Sequence, residues 1–115
     1  VKNNIPWIPG CGTLTEMMIA EKLGAEVLKL FPGGVFGSKF ISSVLAPFPW
    51  LKIMPTGGVT ADLDNISEWF HAGAYCLGMG SKLISKEYFK DNDFGGLEKH
   101  ILQVIKKIEM ARKNG

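Results

Sequence analysis

Four short apolar runs recur along the chain, at residues 5–8, 27–31, 51–54 and 75–79. Each is too short for a helix and rich in Val, Ile, Leu or aromatic residues, which predicts strands. Their centres fall near residues 7, 29, 53 and 77, a spacing of about 22 to 24 residues. Helical patterns fill the intervals. Thr13 and Glu16 predict a capping box, Met17, Ala20 and Leu23 keep helical spacing on one face, and Gly24 ends that helix. A second helix is predicted over residues 38–45, with Phe40, Ile41, Val44 and Leu45 turned inward and Pro47 and Pro49 ending it. A third follows Thr60, buries Leu63, Ile66 and Phe70, and stops at Gly73. A short helix is expected after Gly80. The last helix, about residues 97–112, has the clearest amphipathic stripe: Leu97, Ile101, Val104, Ile105 and Ile108.

Strands that alternate with helices and are apolar on both faces predict an α/β fold with a parallel sheet. The reading is four βα units plus a terminal helix, one partial domain over residues 1–115. Both a small open sheet and half of a (β/α)8 barrel fit, and the near-constant period favours the barrel. Four strands do not close a barrel, and an open half exposes apolar strand edges.

Composition narrows the function. Of 115 residues, 46% are hydrophobic and 21% charged, so the chain folds rather than staying disordered. The net charge of +2 is too balanced to predict a nucleic-acid partner. No apolar run is long enough for a membrane span, and residues 1–10 lack a signal-peptide core. The chain opens on Val1, as a processed or partial chain does. Cys11 and Cys76 lie far apart and are expected as reduced thiols. No Cys/His cluster has metal-ligand spacing. Glycine, 14 residues, is in excess and falls in clusters.

The second strand places Lys29 between apolar neighbours, with Val27 and Phe31 on its face and Leu28 and Leu30 on the other. Such a lysine is either an edge-strand residue that blocks aggregation or snorkels to water, or a desolvated amine that attacks a ketone to form a Schiff base. Gly57 and Gly58 follow the third strand, and Gly80 and Ser81 follow the fourth, each before a helix. Backbone N–H groups at such turns donate to an anion that approaches closely, and the last two βα loops of many barrels hold phosphate together. Gly12, Gly33 and Gly34 read as turn geometry. His71, His100, Trp7, Trp50 and Trp69 read as structural.

The segments IPWIPGCGT, EVLKLFPGG, PTGGV and GMGSKLI, in this order and spacing, resemble the 2-keto-3-deoxy-6-phosphogluconate aldolases, also called 4-hydroxy-2-oxoglutarate aldolases. The run KIMPTGGVT and the lysine strand are the specific parts. The resemblance covers nearly the whole chain and looks like the second half of the family barrel. It implies a class I aldolase, cytoplasmic and homotrimeric when intact, that cleaves a phosphorylated keto acid to pyruvate and glyceraldehyde 3-phosphate without metal or cofactor. It places the Schiff-base lysine at Lys29, Phe31 lining the pocket, Thr56 facing the substrate, and Gly57, Gly58, Gly80 and Ser81 on the phosphate. The family's proton-shuttling glutamate and carboxylate-binding arginine have no counterpart here, since Glu16 caps a helix and Glu26 begins a strand at the far end. Gly33-Gly34 also replaces the Ala-Glu of many relatives. Two other readings stand beside this one. One is a non-catalytic phosphate-binding half-barrel that assembles with another subunit. The other is an isomerase or synthase barrel sharing only the phosphate cradle.

Overall fold

The computed structural model describes residues 3–114. Its elements are β1 (Gly10–Cys11), α1 (Leu14–Lys22), β2 (Leu28–Leu30), α2 (Gly33–Phe36), α3 (Ser38–Leu45), β3 (Ile53–Pro55), α4 (Leu63–His71), α5 (Lys86–Lys90) and α6 (Phe94–Lys113). The three strands form a parallel sheet in the order β1-β2-β3. Lys29 pairs with Gly10 on one side and Met54 on the other. A parallel bridge between Thr56 and Gly78 marks the fourth position.

Two strand predictions shift. Residues 5–8 do not pair, and Ile5, Trp7 and Ile8 are exposed. Pro6 and Pro9 have no N–H to donate, so pairing starts only after them, with the Pro9 carbonyl accepting from the Lys29 N–H at 2.9 Å. The run 75–79 follows β3 without making a continuous strand. Tyr75 N–H donates to Ile53 O and Gly78 N–H to Pro55 O, both at 2.9 Å. The four residues 75–78 thus span the three residues 53–55, and the extra residue interrupts the ladder.

Helix starts follow local chemistry. The Glu16 carboxylate accepts from Gly12 N–H (2.7 Å), Thr13 N–H (2.9 Å) and the Thr13 hydroxyl (3.1 Å), and Thr13 Oγ1 accepts from Glu16 N–H in return. This is the predicted capping box. Its three donors, led by the Gly12 N–H, hold the Glu16 carboxyl below the ordinary value of 4.5. A folded-state value below the unfolded one means the ionised form stabilises the fold. That contribution is complete above 4.5 and is lost as the pH falls through the lowered value. The Glu16 side chain should therefore titrate below 4.5 by NMR. Glu16→Gln should flatten the dependence of urea stability on pH in that acid window, and an unchanged dependence would refute the box as its source. Helix α6 begins three residues before the predicted start, because Asp93 caps it by accepting from Gly96 N–H at 2.9 Å. The short helix expected after Gly80 is α5, which begins at Lys86 and is capped by Ser85. The one-turn α2 was not predicted.

Leu28, Leu30 and Ile53 form the helix-covered face of the sheet and pack with Met17 and Ile41. Ile66, Val104 and Ala111 form a second cluster between α4 and α6. Trp69 is buried as predicted, whereas Trp7 and Trp50 are exposed. Leu23 departs from its predicted inward face: it is the C-cap of α1 and is exposed. His71 Nδ1 lies 2.8 Å from Ser67 O and His100 Nε2 3.1 Å from Lys82 O, both bracing local backbone. The two cysteines are free; burial, the larger cause in each, raises both thiols above 9.0. Among the described residues, no helix is long and apolar enough to cross a membrane, and no His/Cys/Asp/Glu group could hold a metal.

Candidate active site

The uncovered face of β2 carries Val27, Lys29 and Phe31. Lys29 belongs to the middle strand of the three, so its reading as an edge-strand residue does not hold. It is half-buried, with Nζ 5.0 Å from the centroid of the Phe31 ring. An ammonium over an aromatic face is held by the ring quadrupole and keeps its stem along the sheet. The full desolvation expected from its apolar neighbours is not reached. The reason is visible in Phe31, which remains 53% exposed because no opposite wall covers this face.

The Phe31 ring leads to the glycine corner. A Cβ on Gly57 would lie 3.4 Å from Phe31 Cε2, so ring and turn are in contact. Gly57 and Gly58 have φ of +82° and +76°, the region that favours glycine. Among the described residues, the N–H groups of Gly57 and Gly58 meet no acceptor. Two unspent donors at a strand end, just before a helix, are what an anion requires. The Thr56–Gly78 bridge brings the fourth chain segment alongside, and Gly80 and Ser81 follow it, both exposed.

Three features of the corner were not legible in advance. Gly33 and Gly34 are more than a turn: Gly33 N–H donates to Thr56 O (2.7 Å) and Gly34 N–H to Gly57 O (2.8 Å). The two Gly-Gly pairs thus pack backbone on backbone, and their signal was the recurrence of the dipeptide after two neighbouring strands. Asn65 of α4 braces the corner from below, accepting from Thr60 N–H (2.8 Å) and donating to Gly58 O (3.3 Å). No spacing rule singled it out. Finally, Thr56 Oγ1 is buried against Gly78 and has no partner among the described residues. A buried orphaned hydroxyl costs stability, and a functional role is one reason for a protein to keep it. Thr56→Val keeps the shape and removes the unmet group, so it should stabilise the chain by about 1 kcal/mol in urea unfolding. A loss of stability would show that the hydroxyl is satisfied in solution.

Neither of two concavities includes Lys29, Phe31 or the glycine corner. One of about 450 Å³ is lined by Trp50, Lys52, Tyr75 and Arg112 near the start of β3, and one of about 460 Å³, lined by Ile5, Trp7 and Val27, meets this face only at Val27. The geometry around Lys29 is a better guide than either, because half of an enclosing wall leaves a surface rather than a pocket.

These parts define a parallel α/β unit with one amine on its inner face and a glycine-lined anion corner beside it. Residues 1–100 match the KDPG and KHG aldolase family, and the chain belongs to that family. It is 40% identical over 76 residues to the 2-dehydro-3-deoxy-6-phosphogalactonate aldolase of Escherichia coli (strain K12), covering 65% of this chain and 36% of that one. It is 31% identical over 107 residues to the 2-dehydro-3-deoxy-phosphogluconate aldolase of Haemophilus influenzae, covering 90% of this chain and 50% of that one. Among solved structures, native KDPGal superposes with a TM-score of 0.70 at 30% identity, over 93% of this chain and 48% of that one. The chain spans about half the length or less of these relatives. Its structural neighbours are (β/α)8 barrels, and it forms about half of one.

Proposed function

We propose that this chain is the imine-forming half of a class I aldolase. The reading is carried by one observation: Lys29 Nζ stands over Phe31, and that ring abuts the Gly57-Gly58 corner. Amine and anion corner then bind one substrate at two points. The substrate is 2-keto-3-deoxy-6-phosphogluconate, cleaved to pyruvate and glyceraldehyde 3-phosphate, or 4-hydroxy-2-oxoglutarate, cleaved to pyruvate and glyoxylate. The family names of the relatives support both. The intact assembly is read as a cytoplasmic homotrimer of barrels.

In this scheme Lys29 Nζ attacks the C2 ketone and water leaves, giving a protonated imine. A carboxylate removes the proton of the C4 hydroxyl. The C3–C4 bond breaks, its electron pair passes to C3 and into the imine as an enamine, and the aldehyde departs. The enamine takes a proton at C3, and water hydrolyses the imine to free pyruvate and the amine. Gly57, Gly58, Gly80 and Ser81 hold the phosphate through N–H and hydroxyl donors, fixing the scissile bond relative to the amine. Thr56 reaches the substrate by rotating its hydroxyl away from Gly78. Among the described residues no carboxylate pairs with Lys29, and Glu16 is committed to its capping box. The missing base costs about 10²–10⁴-fold, so this chain alone forms the imine but turns over poorly.

Borohydride reduction in the presence of pyruvate tests the reading. A reduced pyruvyl group mapped to Lys29 by peptide mass supports it. A folded sample without the adduct favours the second reading, a phosphate-binding half-barrel without catalysis, for which the open face around Phe31 speaks.

A further inference from the structure

The turns at the opposite end of the sheet from Gly57 and Gly58 build a cleft of their own. Its volume is about 450 Å³, within the range of about 300–1,000 Å³ usual for small-molecule sites. Leu45 borders it from the end of α3, Phe70 from the end of α4 and Arg112 from the last turn of α6, while Trp50 and Lys52 lead into β3. Lys52 precedes β3 and Thr56 follows it, so the cleft and the glycine corner lie at the two ends of one strand. None of the residues placed around Lys29 takes part in the cleft.

Tyr75 gathers the charge of this cleft. Its N–H donates to Ile53 O at 2.9 Å, and its carbonyl accepts from Arg112 Nη2 at 2.6 Å. Lys52 Nζ lies 5.2 Å from the centroid of the Tyr75 ring. The Arg112 guanidinium is held from its other side, 5.2 Å over the Phe70 ring. One residue thus brings two cations together, and among the described residues no Asp or Glu lines the cleft. Glu21 and Glu26 line a smaller hollow beside it that shares Trp50 and Lys52. Glu21 is engaged there, accepting from Trp50 Nε1 at 2.9 Å. A cleft whose charges are all of one sign attracts the opposite ion. The walls are flat and fixed in place. Trp50 is 57% exposed, yet its indole is tied to Glu21 and meets Phe48 in a T-shaped contact at 5.6 Å. An aromatic face that is held while open to water stacks a flat ligand without first having to be ordered.

We infer that this cleft binds a phosphate monoester with a flat aromatic body, the chemistry of a mononucleotide. At pH 7 such a phosphate carries about −1.5 to −2 charges, which matches Lys52 and Arg112 together, whereas a carboxylate matches one of them. A guanidinium has more N–H donors than the one given to Tyr75 O, and its planar fork suits two phosphate oxygens. Lys52 adds a point charge on a flexible stem, and the Trp50 face takes the aromatic ring. The site is separate from the chemistry proposed for Lys29 and does not depend on it.

The test is titration of the chain with adenosine 5′-monophosphate, followed by proton–nitrogen NMR, with adenosine and inorganic phosphate as separate probes. The nucleotide should shift the Trp50 indole N–H and the Ala74 and Tyr75 amides. It should bind about tenfold or more tighter than either adenosine or phosphate. Lys52→Gln and Arg112→Gln should each weaken it by about tenfold or more, and Trp50→Leu by about fivefold or more. Lys90→Gln, on exposed α5 outside the cleft, should bind as the parent does. Arg112→Gln also removes the bond to Tyr75 O, so if that variant unfolds, the exposed Lys52 and its Gln variant decide the result. No shift at the Trp50 indole with millimolar nucleotide overturns the inference, as do shifts confined to Gly57 and Gly58. So does adenosine or phosphate binding as tightly as the nucleotide, or a folded Lys52→Gln chain that binds it as well as the parent.

Discussion

Lys29→Arg abolishes the borohydride-trapped pyruvate adduct. Arginine keeps the cation and its place over the Phe31 ring, but a guanidinium does not give up its proton in proteins and makes no imine. The substitution therefore separates charge from nucleophilicity. In the presence of a complementary half that supplies the base, turnover should fall by roughly 10⁴-fold or more, the scale seen when a covalent nucleophile is removed. Stability should change by less than about 1 kcal/mol, because the side chain projects from the uncovered face of β2. Intact mass and peptide mapping read the adduct, and urea unfolding reads the fold. Lys52→Arg, a change at the 450 Å³ concavity, should leave trapping intact. An adduct that survives Lys29→Arg would move the chemistry elsewhere.

Gly58→Ala is the largest expected loss of stability. At φ of +76° an alanine takes the left-handed region at a cost of about 1–2 kcal/mol. Its Cβ would also stand 2.5 Å from Gly34 Cα, closer than van der Waals contact allows. The obstacle is backbone on both sides, so no side chain rotates away, and overpacking adds about 1–3 kcal/mol. The sum of about 2–5 kcal/mol is a large part of the stability of any domain this size. Gly80→Ala is the contrast: no atom lies within 4 Å of its Cβ position and its φ is ordinary, so it should stay within about 0.5 kcal/mol of the parent. Urea midpoints for the two variants decide the matter. Equal midpoints would mean that the Gly33-Gly34 and Gly57-Gly58 turns do not pack as described.

The same pair of glycine turns shows how far a linear reading reaches. Gly57 and Gly58 stood out because they follow a strand and precede a helix. Gly33 and Gly34 follow a strand as well, and nothing local says that the two turns touch. That contact comes from strand order: β2 and β3 are neighbours, so their C-terminal turns meet. Thr56 is similar. Its side chain follows a strand like any other, and only the approach of Gly78 buries the hydroxyl. The run at residues 5–8 was apolar enough for a strand, yet Pro6 within it and Pro9 after it cannot donate to a neighbour.

What the residue order determined by itself is whatever depends on neighbours within about four positions. The Thr13–Glu16 box, the span of α3, the burial of Ile66 on α4 and the alternation that puts Lys29 and Phe31 on one face of β2 all arise from local hydrogen bonding or from helix or strand periodicity. Tertiary structure decided what depends on distant partners: that Lys29 occupies a middle strand and that two Gly-Gly turns interlock. The physical reason is range. Hydrogen-bonded turns and alternating side chains are set by covalent connectivity, whereas burial is set by which distant surfaces meet.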